Sequence, residues 1–143
     1  MKYLFFIFSF LIMITQLHSE AKWSVVDTIK NNGSLTATLY YAIDCYDSLN
    51  CCAAANMNWR RPWNRTTTDG GKTWFTTLKD TVERRVQDVA YPSENLCVMV
   101  CEDGYIWKSF DQCRTWELER LGSGDVAIMR DVHFLNDKYG AVT

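Results

Sequence analysis

Thr67-Thr-Asp69-Gly-Gly71-Lys-Thr73-Trp74 and Ser109-Phe-Asp111-Gln-Cys113-Arg-Thr115-Trp116 write one pattern twice, 42 residues apart. A fixed period decides an architecture before any local reading does. A second shared block precedes each copy, because residues 42–54 line up without gaps on residues 88–100 at an offset of 46. The first copy therefore carries four extra residues. They fall in Asn56 to Asn64, a stretch that reads as a loop. Arg130 to Thr143 then aligns with Gln87 to Val100 at a constant offset of 43, and the sequence stops where a third Asp motif is due. The chain reads as the N-terminal portion of a longer protein.

Each unit reads as four short strands. In the second repeat they fall at Arg85 to Ala90, Leu96 to Cys101, Tyr105 to Ser109 and Thr115 to Glu119, with Asp103-Gly104 as a hairpin signal. Four strands in a unit of about 40 to 45 residues is the footprint of a β-propeller blade. The expected fold is all-β, a propeller of four-stranded antiparallel blades. About two and a half blades are expected, at roughly 37–80, 81–123 and 124–143, the last incomplete.

The motif's chemistry is local. A carboxylate at Asp69 or Asp111 can accept hydrogen bonds from the backbone of the turn that follows, tying the hairpin from within. Thr67 and Ser109 open the turn, and Gly71 suits a position that wants positive φ. Thr73 or Thr115 closes it, and Trp74 or Trp116 is expected to slide between adjacent blades, burying about 150–250 Å². In the second copy Cys113 replaces the glycine, so its backbone either accepts strain or shifts the turn.

The pattern Ser/Thr-x-Asp-x-Gly-x-Thr-Trp resembles the Asp box, or BNR repeat. With Tyr139-Gly140-Ala141-Val142, the whole stretch is similar to the photosystem II assembly and stability factor type of propeller. The same repeat occurs in other exported proteins and in sortilin-type receptors. The resemblance implies a non-catalytic scaffold that binds a protein or glycan partner on a propeller face, with no cofactor. The alternative it raises is the N-terminal part of a sialidase or another Asp-box glycoside hydrolase. Trp59-Arg60-Arg61-Pro62 is similar to the sialidase Phe/Tyr-Arg-Ile-Pro motif, but Arg60 lies only seven residues before Thr67 and Arg61 replaces isoleucine. Trp59, Arg60 and Arg61 read instead as an exposed basic binding loop with an aromatic lid.

Residues 1–21 read as a secretory signal: a basic Lys2, an apolar run from Tyr3 to Ile14, and the small residues Ser19 and Ala21 before Lys22. That run is too short to span hydrocarbon, which needs about 20 residues. The chain beyond it is expected outside the cytoplasm, secreted, periplasmic or at the cell surface, with no membrane span. Its 143 residues carry 15 Lys and Arg against 17 Asp and Glu, a net charge of −2 without the cationic concentration a nucleic acid would demand. An aromatic content of 14%, with six Trp, is too high for a disordered chain.

Six cysteines in an exported chain invite disulfides. Cys45 and Cys51 flank the turn Asp47 to Asn50 and form the candidate bridge, with Cys52 as competing partner. Cys97 and Cys101 sit about 13 Å apart along one strand, too far for a bond. No C-x-x-C pair is present and His133 is the lone histidine after signal removal, so neither a zinc site nor any other metal is expected. His133 is the single candidate base, in a strand pattern where a structural role is expected. Asp44, Asp88 and Asp131 recur near the ends of first strands, and recurrence in every repeat argues against catalysis, which needs one asymmetric pair. No catalytic residue is assigned. Two glycosylation sequons stand at Asn32 and Asn64.

Overall fold

The computed structural model describes residues 38–81, 83–122 and 128–143. The expected signal at 1–21, the sequon at Asn32 and the start of the first repeat lie outside the described residues. The chain is all-β, built of antiparallel sheets of two to four strands. The first sheet runs in the order β1 (Thr38–Cys45), β2 (Cys51–Met57), β3 (Arg61–Thr67). The second runs β4 (Val86–Ser93), β5 (Leu96–Cys101), β6 (Tyr105–Ser109), β7 (Glu117–Arg120). The third is the hairpin of β8 (Val132–Phe134) and β9 (Gly140–Val142).

β2 and β5, Cys-Cys-Ala-Ala-Ala-Asn-Met and Leu-Cys-Val-Met-Val-Cys, are short uncharged runs bounded by turns. Such runs suit strands covered on both faces, and both are buried along almost their whole length. The two faces of β5 serve different neighbours. Cys97, Met99 and Cys101 pack with Cys52 and Ala54 of β2, with Val86, Val89 and Tyr91 of β4, and with Cys113. Val98 and Val100 point the other way, to Ile106, Met129 and Val132. The period of two in β5 thus lines two separate apolar seams, one toward each flanking sheet.

Registers repeat from unit to unit. Cys51 faces Thr67 as Cys97 faces Ser109. The pair Val89 with Met99 recurs as Val132 with Val142, 43 residues later. The four extra residues of the first unit do not make a loop, which corrects the reading of Asn56 to Asn64. β2 and β3 pair continuously from Cys51–Thr67 to Met57–Arg61, and only Asn58 to Arg60 turn. The insertion lengthens the hairpin, with Asn58 at φ 51° and Trp59 at φ 72° making the reversal.

The second sheet has the expected four strands and the first has three. After its Asp turn the first unit continues alongside β3, touching it at the bridges Thr66–Phe75 and Trp63–Lys79. Asn64 prevents a regular ladder between them. Its side-chain Oδ1 takes the backbone N–H groups of Thr77 at 3.0 Å and Leu78 at 2.8 Å, donors a strand pairing would use. In the second sheet the last strand begins at Glu117 rather than Thr115, because Thr115 is spent on closing the turn.

Buried polar side chains join the sheets. Asn56 Nδ2 donates to Val86 O at 2.9 Å while its Oδ1 accepts from Val86 N at 2.8 Å, a backbone-like pair made across 30 residues. Thr77 joins the first unit to the second turn: its hydroxyl donates to Cys113 O and accepts from Trp116 Nε1 at 2.9 Å and Asn64 Nδ2 at 3.1 Å. The Tyr46 and Tyr91 rings meet edge to face at 5.0 Å.

Candidate functional site

The two Asp turns are superimposable in their bonding. Asp69 Oδ1 accepts from Thr73 N at 2.9 Å and from Thr67 Oγ1 at 2.8 Å, and its Oδ2 accepts from Thr73 Oγ1 at 2.6 Å. Asp111 makes the same three bonds, to Thr115 N at 2.8 Å, Ser109 Oγ at 2.9 Å and Thr115 Oγ1 at 2.6 Å. The threonine hydroxyl and backbone N–H hold each carboxyl down to about 2, since both bonds favour the charged form. Each carboxylate is committed to its own turn. Gly71 sits at φ 84°, and Cys113 accepts the same left-handed region at φ 61° beside Gln112, also at 61°.

The tryptophans differ. Trp116 packs against the seam between the first two sheets, as expected of both rings, and bonds across to Thr77. Trp74 is half-buried and turns its indole N–H back to Gly71 O at 3.1 Å, inside its own turn.

The recurring first-strand aspartates also bond to backbone. Asp44 Oδ2 accepts from Tyr91 N at 2.7 Å, and Asp88 Oδ2 accepts from Val132 N at 2.9 Å, so each carboxylate ties its sheet to the next. Burial raises the Asp88 carboxyl above the ordinary range, and the neighbouring Asp131 carboxyl adds to the rise. Where these first strands converge, Ile43, Asp44, Pro92, Val132, His133 and Phe134 line a cleft of about 290 Å³. His133 stands at its rim on β8, exposed.

Trp59, Arg60 and Arg61 lie at the β2–β3 turn, away from that cleft's lining. All three are exposed, Trp59 to 57%, and Arg60 pairs with Glu83 at 3.6 Å. The Trp59 carbonyl accepts from Arg85 Nε at 3.2 Å. The structure brings no carboxylate pair to the arginines among the described residues that contact them.

Cys45 and Cys51 face each other at the end of the β1–β2 ladder and are joined as a disulfide. Asp47 holds the intervening turn, its Oδ1 accepting from Leu49 N at 2.8 Å and Asn50 N at 2.7 Å. The competing partner Cys52 points to the opposite face, into the first seam. There it meets Cys97 and Cys113, all three fully buried, with their sulfurs within 4.8 Å of one another. The bond from Cys113 raises the Cys52 thiol and burial raises the Cys97 thiol. Cys113, receiving both S–H groups and facing the Tyr91 hydroxyl, is held low.

Sequence spacing does not reveal this trio, because its members lie 45 and 16 residues apart with no ligand-like interval. Two signals do point to it. Cys113 occupies a glycine position, and β2 and β5 present opposite parities to their shared seam, which brings Cys52 opposite Cys97. No protein-family model and no curated protein matches this chain.

Proposed function

We propose that the chain is part of an exported, non-catalytic β-propeller scaffold of the Asp-box type that binds a protein or glycan partner. One observation carries the reading: the recurring carboxylates Asp44, Asp69, Asp88 and Asp111 all accept internal hydrogen bonds that fix turns or join sheets. A motif spent on holding the fold leaves binding to the surface between units. The repeated register and the two seams on opposite faces of β5 support tandem blades, each kept dry by its neighbour.

The cleft of about 290 Å³ at the first-strand ends offers the partner a concave surface with an imidazole, a carboxylate and apolar walls. The hydrolase alternative needs one asymmetric carboxylate pair, and the first-strand aspartates Asp44 and Asp88 instead recur in the same backbone-bonded role. The test is a glycan array and an affinity capture with the full chain, beside assays on aryl glycosides and sialosides. Retention weakened by Ile43→Ala and His133→Ala, with no sugar released, is the expected result. Release of sugar would establish the hydrolase instead.

A further inference from the structure

We propose that Cys52, Cys97 and Cys113 form a three-thiolate site for a single Cu(I) ion in the seam between the first two sheets. The ligands come from three separate places, β2, β5 and the second Asp turn, so the site exists only when the two units are packed together. Three sulfurs around an ion at about 2.3 Å lie about 4 Å from one another when coplanar with it. The 4.8 Å ceiling here leaves less than about 1 Å to close, within reach of small χ1 adjustments.

The donor set selects the ion. Thiolates favour soft cations, and hard ions such as Mg²⁺ and Ca²⁺ demand oxygen ligands. Structural zinc sites close a tetrahedron with four donors, and iron–sulfur clusters likewise take four. Among the described residues the cluster holds three. All three cysteines have no exposed surface, which sets the site apart from bulk water. Trigonal coordination by soft sulfur is what Cu(I) accepts.

The surroundings fit an anionic sulfur cluster. The Tyr91 hydroxyl faces Cys113, and the Asn64 amide lies beside Cys52. One Asn64 N–H is taken by Thr77 Oγ1. On loading, Cys52 and Cys97 each release an S–H proton to solvent as their Cu–S bonds form, Cys113 binds as the thiolate, and the copper keeps its oxidation state. Cys113 itself stands where the first turn has Gly71, in a left-handed backbone that glycine adopts freely. Thr77 holds its carbonyl from the neighbouring unit, which fixes the direction of the side chain.

The strain at Cys113 supplies the decisive variant. Cys113→Gly restores the residue of the first turn, relieves the left-handed backbone and removes one ligand. The full chain is prepared without oxygen and titrated with Cu(I) against a chromogenic Cu(I) chelator, with native mass spectrometry and X-ray absorption as readouts. The expected result is one ion per chain with three sulfur neighbours, and a loss of affinity in Cys113→Gly of more than about 100-fold. Loss of an outer-shell partner alone costs about 10–100-fold, so a ligand's loss must exceed it. Should Cys113→Gly not fold, Cys97→Ala is read the same way. Equal affinity in wild type and variant, two sulfur neighbours in the wild type, preference for Zn²⁺, or a disulfide within the trio in the oxygen-free protein would each overturn the proposal.

Discussion

Asp69 is a side chain whose charge is part of the structure. With its carboxyl held down to about 2 by Thr73, against an ordinary value near 3.9, its contribution is fully present above about pH 4 and is lost as the pH falls toward 2. Acid unfolding followed by tryptophan fluorescence should therefore be less steep between pH 4 and 2 in Asp69→Ala, whose melting temperature should also be lower at neutral pH. Partner affinity should not change, since the carboxylate faces its own turn. An unchanged acid limb would mean that the turn does not depend on the charge. These three bonds span at most four residues, which is why an eight-residue pattern sufficed to read them in the sequence. Cys113 was legible as a departure from that pattern, and its φ of 61° shows which of the two outcomes the backbone took. Its neighbours were not legible, because Cys52 and Cys97 reach it only through packing.

The polar links between elements lie beyond local reading for the same reason. Asn56 is buried in a run of alanines with nothing nearby in sequence to bond, and its partner is the backbone of Val86, 30 residues on. Asn56→Leu keeps the branched outline of the side chain and strands both Val86 groups, at about 1–3 kcal/mol for each. Urea denaturation should show the loss as a shifted midpoint with an unchanged slope. Thr77→Val is the matching test on the other side of the seam. It removes the hydroxyl shared by Cys113, Trp116 and Asn64 and should cost about 1–3 kcal/mol, with a shift in Trp116 emission as its indole N–H loses its acceptor. The hairpin of β2 and β3 gives the opposite lesson. Trp59 and Arg60 do turn, but Pro62, which also looks like a loop residue, is buried inside β3 in a pairing that runs from Cys51–Thr67 to Met57–Arg61. Hydrogen bonding along a ladder outweighed composition.

Across the described residues, three sheets stack through two seams, and their outer surfaces leave apolar groups in water. Ile43 on β1 is 61% exposed, and Leu135 and Tyr139 beside the last hairpin are 84% and 69% exposed. Apolar groups left in water on a sheet face invite association between copies. Residues 22–143 expressed alone should therefore self-associate, visible in sedimentation velocity as a mass that rises with concentration. A stable monomer with one cooperative melt would show that the described sheets suffice by themselves. The tandem order was readable because period and register are the same fact seen twice. The seams were only half readable, since a sequence displays alternation without saying which neighbour each face meets.

β5 also carries a consequence for how this chain tolerates change over time. Met99 and Val100 are covalent neighbours that answer to different tenants, one shared with Ala54 and the other with Met129 and Val132. Drift at one should leave the other untouched while prompting compensation several dozen residues away, so accepted substitutions along this strand ought to co-vary in two interleaved sets, each with a stride of two.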